Sequence, residues 1–223
     1  MNIHIACAFY RQHLLKTQEH YLEKHNIEWI PICDSVDIKA FANNSKKWIR
    51  PVLVPPLRIP GDQVYKKFND FIEKENIIDE DYYGFMGDDD AYEPGFFDVI
   101  REQKSKVVIF SLSRGNAIPA DAPPQGRHPT SALIMDGPWN VKVCNIGIIQ
   151  YIVKGSVLRE MRFNNSDPAD DGRFAEELVR RYPNDISFLS TMFAFGNYLE
   201  PGRYTDNSWK KKETWELPQI IKE

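Results

Sequence analysis

Three consecutive carboxylates, Asp88-Asp89-Asp90, follow the apolar run YYGFMG. Adjacent carboxylates repel, so a fold keeps three together only where something compensates their charge. Continued as an extended strand end, they direct Asp88 and Asp90 to one side and Asp89 to the other. Two carboxylates on one side, at the carboxyl end of a buried strand, form an oxygen site suited to Mg²⁺ or Mn²⁺. A solvated turn is the alternative, because Gly and Asp are common turn residues. The apolar residues directly before the triplet favour the site. The triplet by itself does not separate a nucleotidyl enzyme, a nuclease and a sugar transferase.

A second acidic pair, Asp170-Asp171, lies in SDPADDGRFAEELVRRYP. Asp167-Pro168 reads as an N-cap and first helical residue, and the helix dipole favours ionised acids in the turn that follows. Tyr10 and Asp34 stand at the ends of the first two apolar runs. Lys66, Lys67 and Asn69 fall on a helix whose two lysines read as a solvated face. Asn145-Ile146-Gly147 interrupts an extended stretch, and with Gln150 it reads either as a bulge or as the lining of a pocket. Trp139 reads as core or as a platform for a sugar ring. The five histidines show no metal-ligand spacing, and His4, inside an apolar strand, reads as a hydrogen-bonded core histidine. The sequence contains no G-x-S-x-G elbow, Walker loop or C-x-x-C pair.

The elements that must position these residues alternate. Residues 3–9 form a buried strand, 14–25 an amphipathic helix, and 27–33 a second strand that Pro31 marks as an edge or near its end. Residues 52–54 are a short extended piece. Asp62 caps a helix whose apolar positions Val64, Phe68, Phe71 and Ile72 repeat at three and four residues. Residues 82–86 are the next strand and run into the aspartates. This order specifies an α/β fold with a mainly parallel central sheet flanked by helices, and a Rossmann-like first half whose ligands sit at the carboxyl ends of the strands. Further on come a helix at 94–103, a strand at 107–112, a Pro-rich stretch at 116–140 suited to a lid, an extended segment at 141–153, helices at 156–163 and around 174–182, and a last strand at 186–195. The whole reads as one domain over residues 1–223, with halves at 1–90 and 91–199 (a nucleotide-sugar-binding and an acceptor-binding half, on the resemblance described below) and a polar tail at 200–223.

The 223 residues carry 28 Lys plus Arg against 32 Asp plus Glu, a net charge of −4, and a pI near 5.8. That balance disfavours a dedicated nucleic-acid binder. Hydrophobic residues make up 42% and charged ones 27%, which suits a folded globular chain and not a disordered one. There is no apolar run of roughly 18 residues to span a membrane, and the first residues lack the pattern of a signal peptide. Cys7, Cys33 and Cys144 read as reduced core cysteines, so a cytoplasmic location is expected.

In combination these segments resemble glycosyltransferases of the GT-A fold, closest to the inverting family 2 type. YYGFMGDDDAYEPGFFD is similar to that family's strand, D-x-D and following helix. The first strand's end, Ala8-Phe9-Tyr10-Arg11, is similar to the segment whose aromatic residue packs on the donor base, and Cys33-Asp34-Ser35-Val36-Asp37 to the acidic turn that reads the base. Asp170-Asp171 is similar to the pair that supplies the catalytic base. The resemblance covers roughly residues 1–195. It implies a hexosyl-type transferase using a nucleotide-diphosphate sugar, with Mg²⁺ or Mn²⁺ held by Asp88 and Asp90, which match D-x-D. Asp88 would also face the ribose, and Asp89, Lys67, Asn145 and Gln150 would belong to the donor site with Tyr10 and Asp34. Asp171, or alternatively Asp170, would be the base. The acceptor is expected to be a glycan, a lipid-linked sugar or a small molecule. The tail, with Trp209, Lys210-Lys211-Lys212 and Trp215, reads as solvated or as touching an anionic membrane surface. The family's A-R-N pattern is replaced by YKKFND, and its late histidine metal ligand is absent. A sugar nucleotidyltransferase and a non-catalytic nucleotide-sugar binder are the competing readings.

Overall fold

The computed structural model describes residues 1–55, 64–93, 95–114, 132–143, 145–164 and 169–196. In chain order the elements are β1 (Ile3–Ala8), α1 (Leu15–Leu22), β2 (Glu28–Cys33), β3 (Val52–Leu53), α2 (Val64–Lys74), β4 (Tyr82–Gly87), β5 (Ala91–Tyr92), α3 (Phe96–Arg101), β6 (Val107–Arg114), β7 (Ala132–Leu133), β8 (Tyr151–Lys154), α4 (Gly155–Glu160), α5 (Asp170–Arg181) and β9 (Ile186–Gly196). The Asp62 cap, Pro94, residues 116–131 of the Pro-rich stretch, Cys144, the Asp167-Pro168 helix start and the tail from residue 200 lie outside the described residues.

The strands form one sheet in the order β3-β2-β1-β4-β8-β6-β9-β5, with β7 added to β6. β3, β2, β1 and β4 are parallel, as are β6 and β9, whereas β8 runs antiparallel between β4 and β6. Every residue of β1 is buried because helices cover both faces of a parallel sheet. Alternation then splits the core in two. Ala6 and Ala8 join Phe68, Phe71 and Phe85 on one side. Ile5, Cys7 and Phe9 join Trp29, Tyr92 and Phe96 on the other. The three-and-four spacing of Phe68, Phe71 and Ile72 buries one stripe of α2; each such side chain contributes roughly 1.5–3 kcal/mol. His4 is satisfied within β1, with Nδ1 2.6 Å from Glu28 and Nε2 3.1 Å from Asp81.

Two expectations fail here. Residues 141–153 are not one extended segment. Only Tyr151–Lys154 is strand, and a 3₁₀ turn occupies Ile148–Gln150. The apolar residues there are buried by turns that side chains hold: Asn145 Nδ2 donates to the Asn140 carbonyl at 2.7 Å and Gly147 N donates to Gln150 Oε1 at 2.8 Å. Lys67 is not on a solvated face. It is completely buried, its stem lying within α2's inner surface and its ammonium reaching backbone carbonyls. Lys66, by contrast, is half-exposed and pairs with Asp70 at 2.8 Å.

Candidate functional site

The acidic triplet is a turn, not a strand end. β4 stops at Gly87; Gly87 N donates to Asp90 Oδ2 at 2.7 Å, and Asp90 N returns to the Gly87 carbonyl at 3.4 Å. The expected split of Asp89 from Asp88 is therefore overturned: Arg11 Nη1 contacts Asp88 Oδ1 and lies 3.0 Å from Asp89 Oδ1. All three aspartates are less than 10% exposed. A Cβ on Gly87 would sit 3.0 Å from Asp89 Oδ1 and 3.1 Å from Asp90 Oδ2, so the absent side chain lets these two oxygens converge.

Asp88 acts as a staple between strand ends. Its Oδ2 accepts from Tyr10 N at 2.7 Å and Arg11 N at 2.6 Å. From α1, Gln18 Nε2 donates to the carbonyls of Asp88 (3.0 Å) and Asp90 (3.2 Å). Asp89 is left in the least favourable position. Burial and then the neighbouring Asp90 charge push its carboxyl up to about 7; Arg11 opposes the rise and Asp88 adds to it. Its Oδ2 is buried without a hydrogen-bond partner.

Tyr10, Arg11, the three aspartates and Asp171 line one cleft of about 190 Å³, together with Gly147 and Ile148. This lies at the carboxyl end of β1 and β4, where parallel sheets bind ligands. Lys67 Nζ stands 3.5 Å from the centroid of the Tyr10 ring and donates to the carbonyls of Phe9 (3.0 Å) and Ile32 (3.3 Å). It braces the ends of β1 and β2 and fixes the tyrosine by a cation–π contact. Burial lowers the Lys67 pKa, against the pull of Asp37. The Tyr10 hydroxyl is buried without a partner.

Asp171 is half-buried in the first turn of α5, with Oδ1 accepting from Gly172 N at 2.8 Å. Beside it, burial and then the Asp171 charge raise the Tyr65 pKa. Asp170 is buried and accepts from Asn164 N, so it anchors the segment entering α5. Asp34, Lys67, Asn145, Gln150 and Asp170 are not among the cleft's lining residues. Asp34 Oδ1 caps its own turn, accepting from Val36 N (2.7 Å) and Asp37 N (3.0 Å). Burial opposes its ionisation, but these bonds outweigh that and lower its pKa. Gln150 is buried, with Nε2 donating to the Phe110 carbonyl at 3.2 Å. Asn69 clasps Phe163 with two hydrogen bonds of 2.8 and 2.9 Å.

Sequence reasoning missed Arg11 and Gln18. Gln18 had a signal: it lies four residues from both Leu14 and Leu22, a polar residue on a buried stripe. Among the described residues, no group of three or more His, Cys, Asp or Glu side chains is arranged to hold a metal ion. Backbone amides and Arg11 take up the Asp88 oxygens. Asp89 Oδ2, buried without a donor, is the feature of the set that suits a hard cation.

The α/β sheet with helices on both faces is a fold of the GT-A type, shared with solved structures of low sequence identity. Residues 1–349 of S. aureus TarS with UDP superpose with a TM-score of 0.58 at 15% identity, covering 88% of this chain and 60% of that one. The same protein with UDP-GlcNAc gives 0.55 at 15% identity, covering 88% and 58%. A putative glucose-1-phosphate thymidylyltransferase from Bacillus anthracis, in complex with a sucrose, gives 0.51 at 8% identity, covering 87% and 89%. The chain thus spans about three-fifths of the TarS fragment. No family model matches the sequence, and no curated protein matches it.

Proposed function

We propose that the chain is a glycosyltransferase that moves one sugar from a nucleotide-diphosphate donor to an acceptor hydroxyl, with inversion. The observation that carries this is the convergence of Tyr10, the acidic turn and Asp171 on one cleft at the strands' carboxyl ends. Tyr10, held by Lys67, packs against the donor's base, and Asp34 at the adjoining strand end reads its N–H groups. Asp89 and Asp90 would hold Mg²⁺ or Mn²⁺, with Asp88 fixing the turn and facing the ribose. A cation held there would supply positive charge opposite the departing diphosphate. Asp171, in the first turn of α5, takes the acceptor proton. The acceptor is a glycan, a lipid-linked sugar or a small molecule. Among the described residues no helix is long and apolar enough to cross a membrane.

A panel of UDP, GDP, CMP and dTDP sugars, followed by thermal shift with and without Mn²⁺, names the base, because a ligand that binds the native state raises its stability. Asp171→Asn should abolish transfer while leaving UDP affinity within about twofold. Full activity in that variant would move the base elsewhere. The thymidylyltransferase neighbour supports a second reading, sugar nucleotidyl transfer. That chemistry needs a glycine-rich phosphate loop after β1, where this chain has Phe9-Tyr10-Arg11-Gln12. Release of pyrophosphate from a nucleoside triphosphate and a sugar 1-phosphate would favour it over sugar transfer.

A further inference from the structure

We propose that Arg11 is a built-in counter-cation of the acidic turn, and that a divalent ion binds there only by displacing the guanidinium. The inference deepens the reading above, because it rests on the acidic turn being the cation site. Arg11 Nη1 bridges Asp88 Oδ1 and Asp89 Oδ1, and its side chain is 11% exposed against 2% and 5% for the two carboxylates. Asp89 lines the cleft, and its Oδ2, buried and unpartnered, is an acceptor that the guanidinium does not satisfy. Asp89 Oδ1 and Asp90 Oδ2 both lie about 3 Å from the place a Gly87 Cβ would take, so a cation on Asp89 has the Asp90 carboxylate beside it.

An ion on Asp89 would lie within a few ångströms of the guanidinium. Two positive centres at about 4 Å repel strongly even at an effective dielectric of about 20, so both cannot share Asp89 Oδ1. The backbone at this point does not have to move. Tyr10 N and Arg11 N stay anchored on Asp88 Oδ2 at 2.7 and 2.6 Å, and only the side chain swings. A guanidinium freed into the cleft finds its natural partner in phosphate oxygens, which it binds in bidentate fashion. The exchange therefore orders binding: cation first, then diphosphate.

The test is Mn²⁺ binding without nucleotide, read from the paramagnetic resonance of the free ion. Arg11→Met keeps the side-chain length and removes the charge; it should bind Mn²⁺ about tenfold or more tighter than the wild-type chain, and Arg11→Lys should stay near wild type. Equal or weaker binding in Arg11→Met overturns the competition while leaving the cation site standing. No Mn²⁺ binding by either chain overturns the competition and the cation site together, and UDP-sugar affinity then judges the transferase reading separately. Should Arg11→Met fail to fold, arginine Nε–H signals of the wild-type chain serve instead. Saturating Mg²⁺ should shift the Arg11 signal and speed its exchange with solvent, and an unmoved Arg11 signal overturns the proposal.

Discussion

Replacing Asn69 separates a structural role from a ligand-binding one. Asn69 lies on α2, the helix after β3. In the fold its amide clasps the backbone of Phe163, donating to the carbonyl at 2.8 Å and accepting from the amide at 2.9 Å. Phe163 is itself buried and stacks on Phe174 of α5 at 4.2 Å. Asn69→Ala strands both backbone groups in the core. Each unsatisfied buried group costs about 1–3 kcal/mol, so a loss of about 3 kcal/mol is expected once partial hydration of the gap is allowed for. For a chain of this size that lowers Tm by about 6–12 °C. Asn69→Asp should be worse, because it turns a carboxylate oxygen toward the Phe163 carbonyl. Urea unfolding gives the stability, and calorimetric titration with UDP on the folded protein gives the affinity. The expected pattern is a large loss of stability with unchanged affinity per folded molecule. A stability change under about 0.5 kcal/mol, with UDP binding abolished, would refute the assignment and give Asn69 to the ligand.

Two further outcomes follow from the packing. Burial opposes the His4 imidazolium, but hydrogen bonds to Glu28 and Asp81 outweigh it and raise the His4 pKa above 6.5. Burial likewise opposes the Glu28 carboxylate, yet His4 and Arg50 bring it down to about 2. The His4 contribution is complete below its unfolded pKa of about 6.5 and is lost as pH rises through the raised value. The Glu28 contribution holds above about 4.5 and fades as pH falls toward 2. Urea midpoints measured from pH 5 to 9 should therefore fall for the wild-type chain and stay flatter for His4→Asn; parallel curves would contradict the triad. At Gly84 an added Cβ would lie 2.9 Å from Ile5 Cδ1 and 3.2 Å from Ile152 Cγ1. Gly84→Ala should cost about 1 kcal/mol, the low end for overpacking because a methyl can rotate away, and combining it with Ile5→Val should cost less than the sum.

The parallel first half was legible because its signals were local. The run at 3–9, the Phe68, Phe71 and Ile72 spacing and the apolar lead-in at 82–86 each state their own secondary structure. What escaped was decided by side chains reaching across the chain. The apolar residues at 141–149 look extended until Asn145 and Gln150 are seen closing turns on their own backbone. Lys67 looks solvated because charge marks a helix's outer face, and nothing nearby in sequence announces the Phe9 and Ile32 carbonyls that take its ammonium. The aspartates were identified as a site but with the wrong backbone, since the hydrogen bond from Gly87 to Asp90 turns the chain one residue earlier than alternation assumes. Arg11 was invisible as a partner for Asp88 because 77 residues separate them.

The floor of the cleft is fastened from below, by Gln18 on one face of the sheet and Lys67 on the other, whereas its wall at residues 147–149 is a short turn closed mainly by Gln150. On the proposed transferase reading, stability and sugar choice would then sit in different stretches of chain. Laboratory evolution aimed at a new sugar would do best to diversify residues 147–149 with Gln18, Lys67 and Gln150 left intact, since such libraries exchange the wall without loosening the foundation.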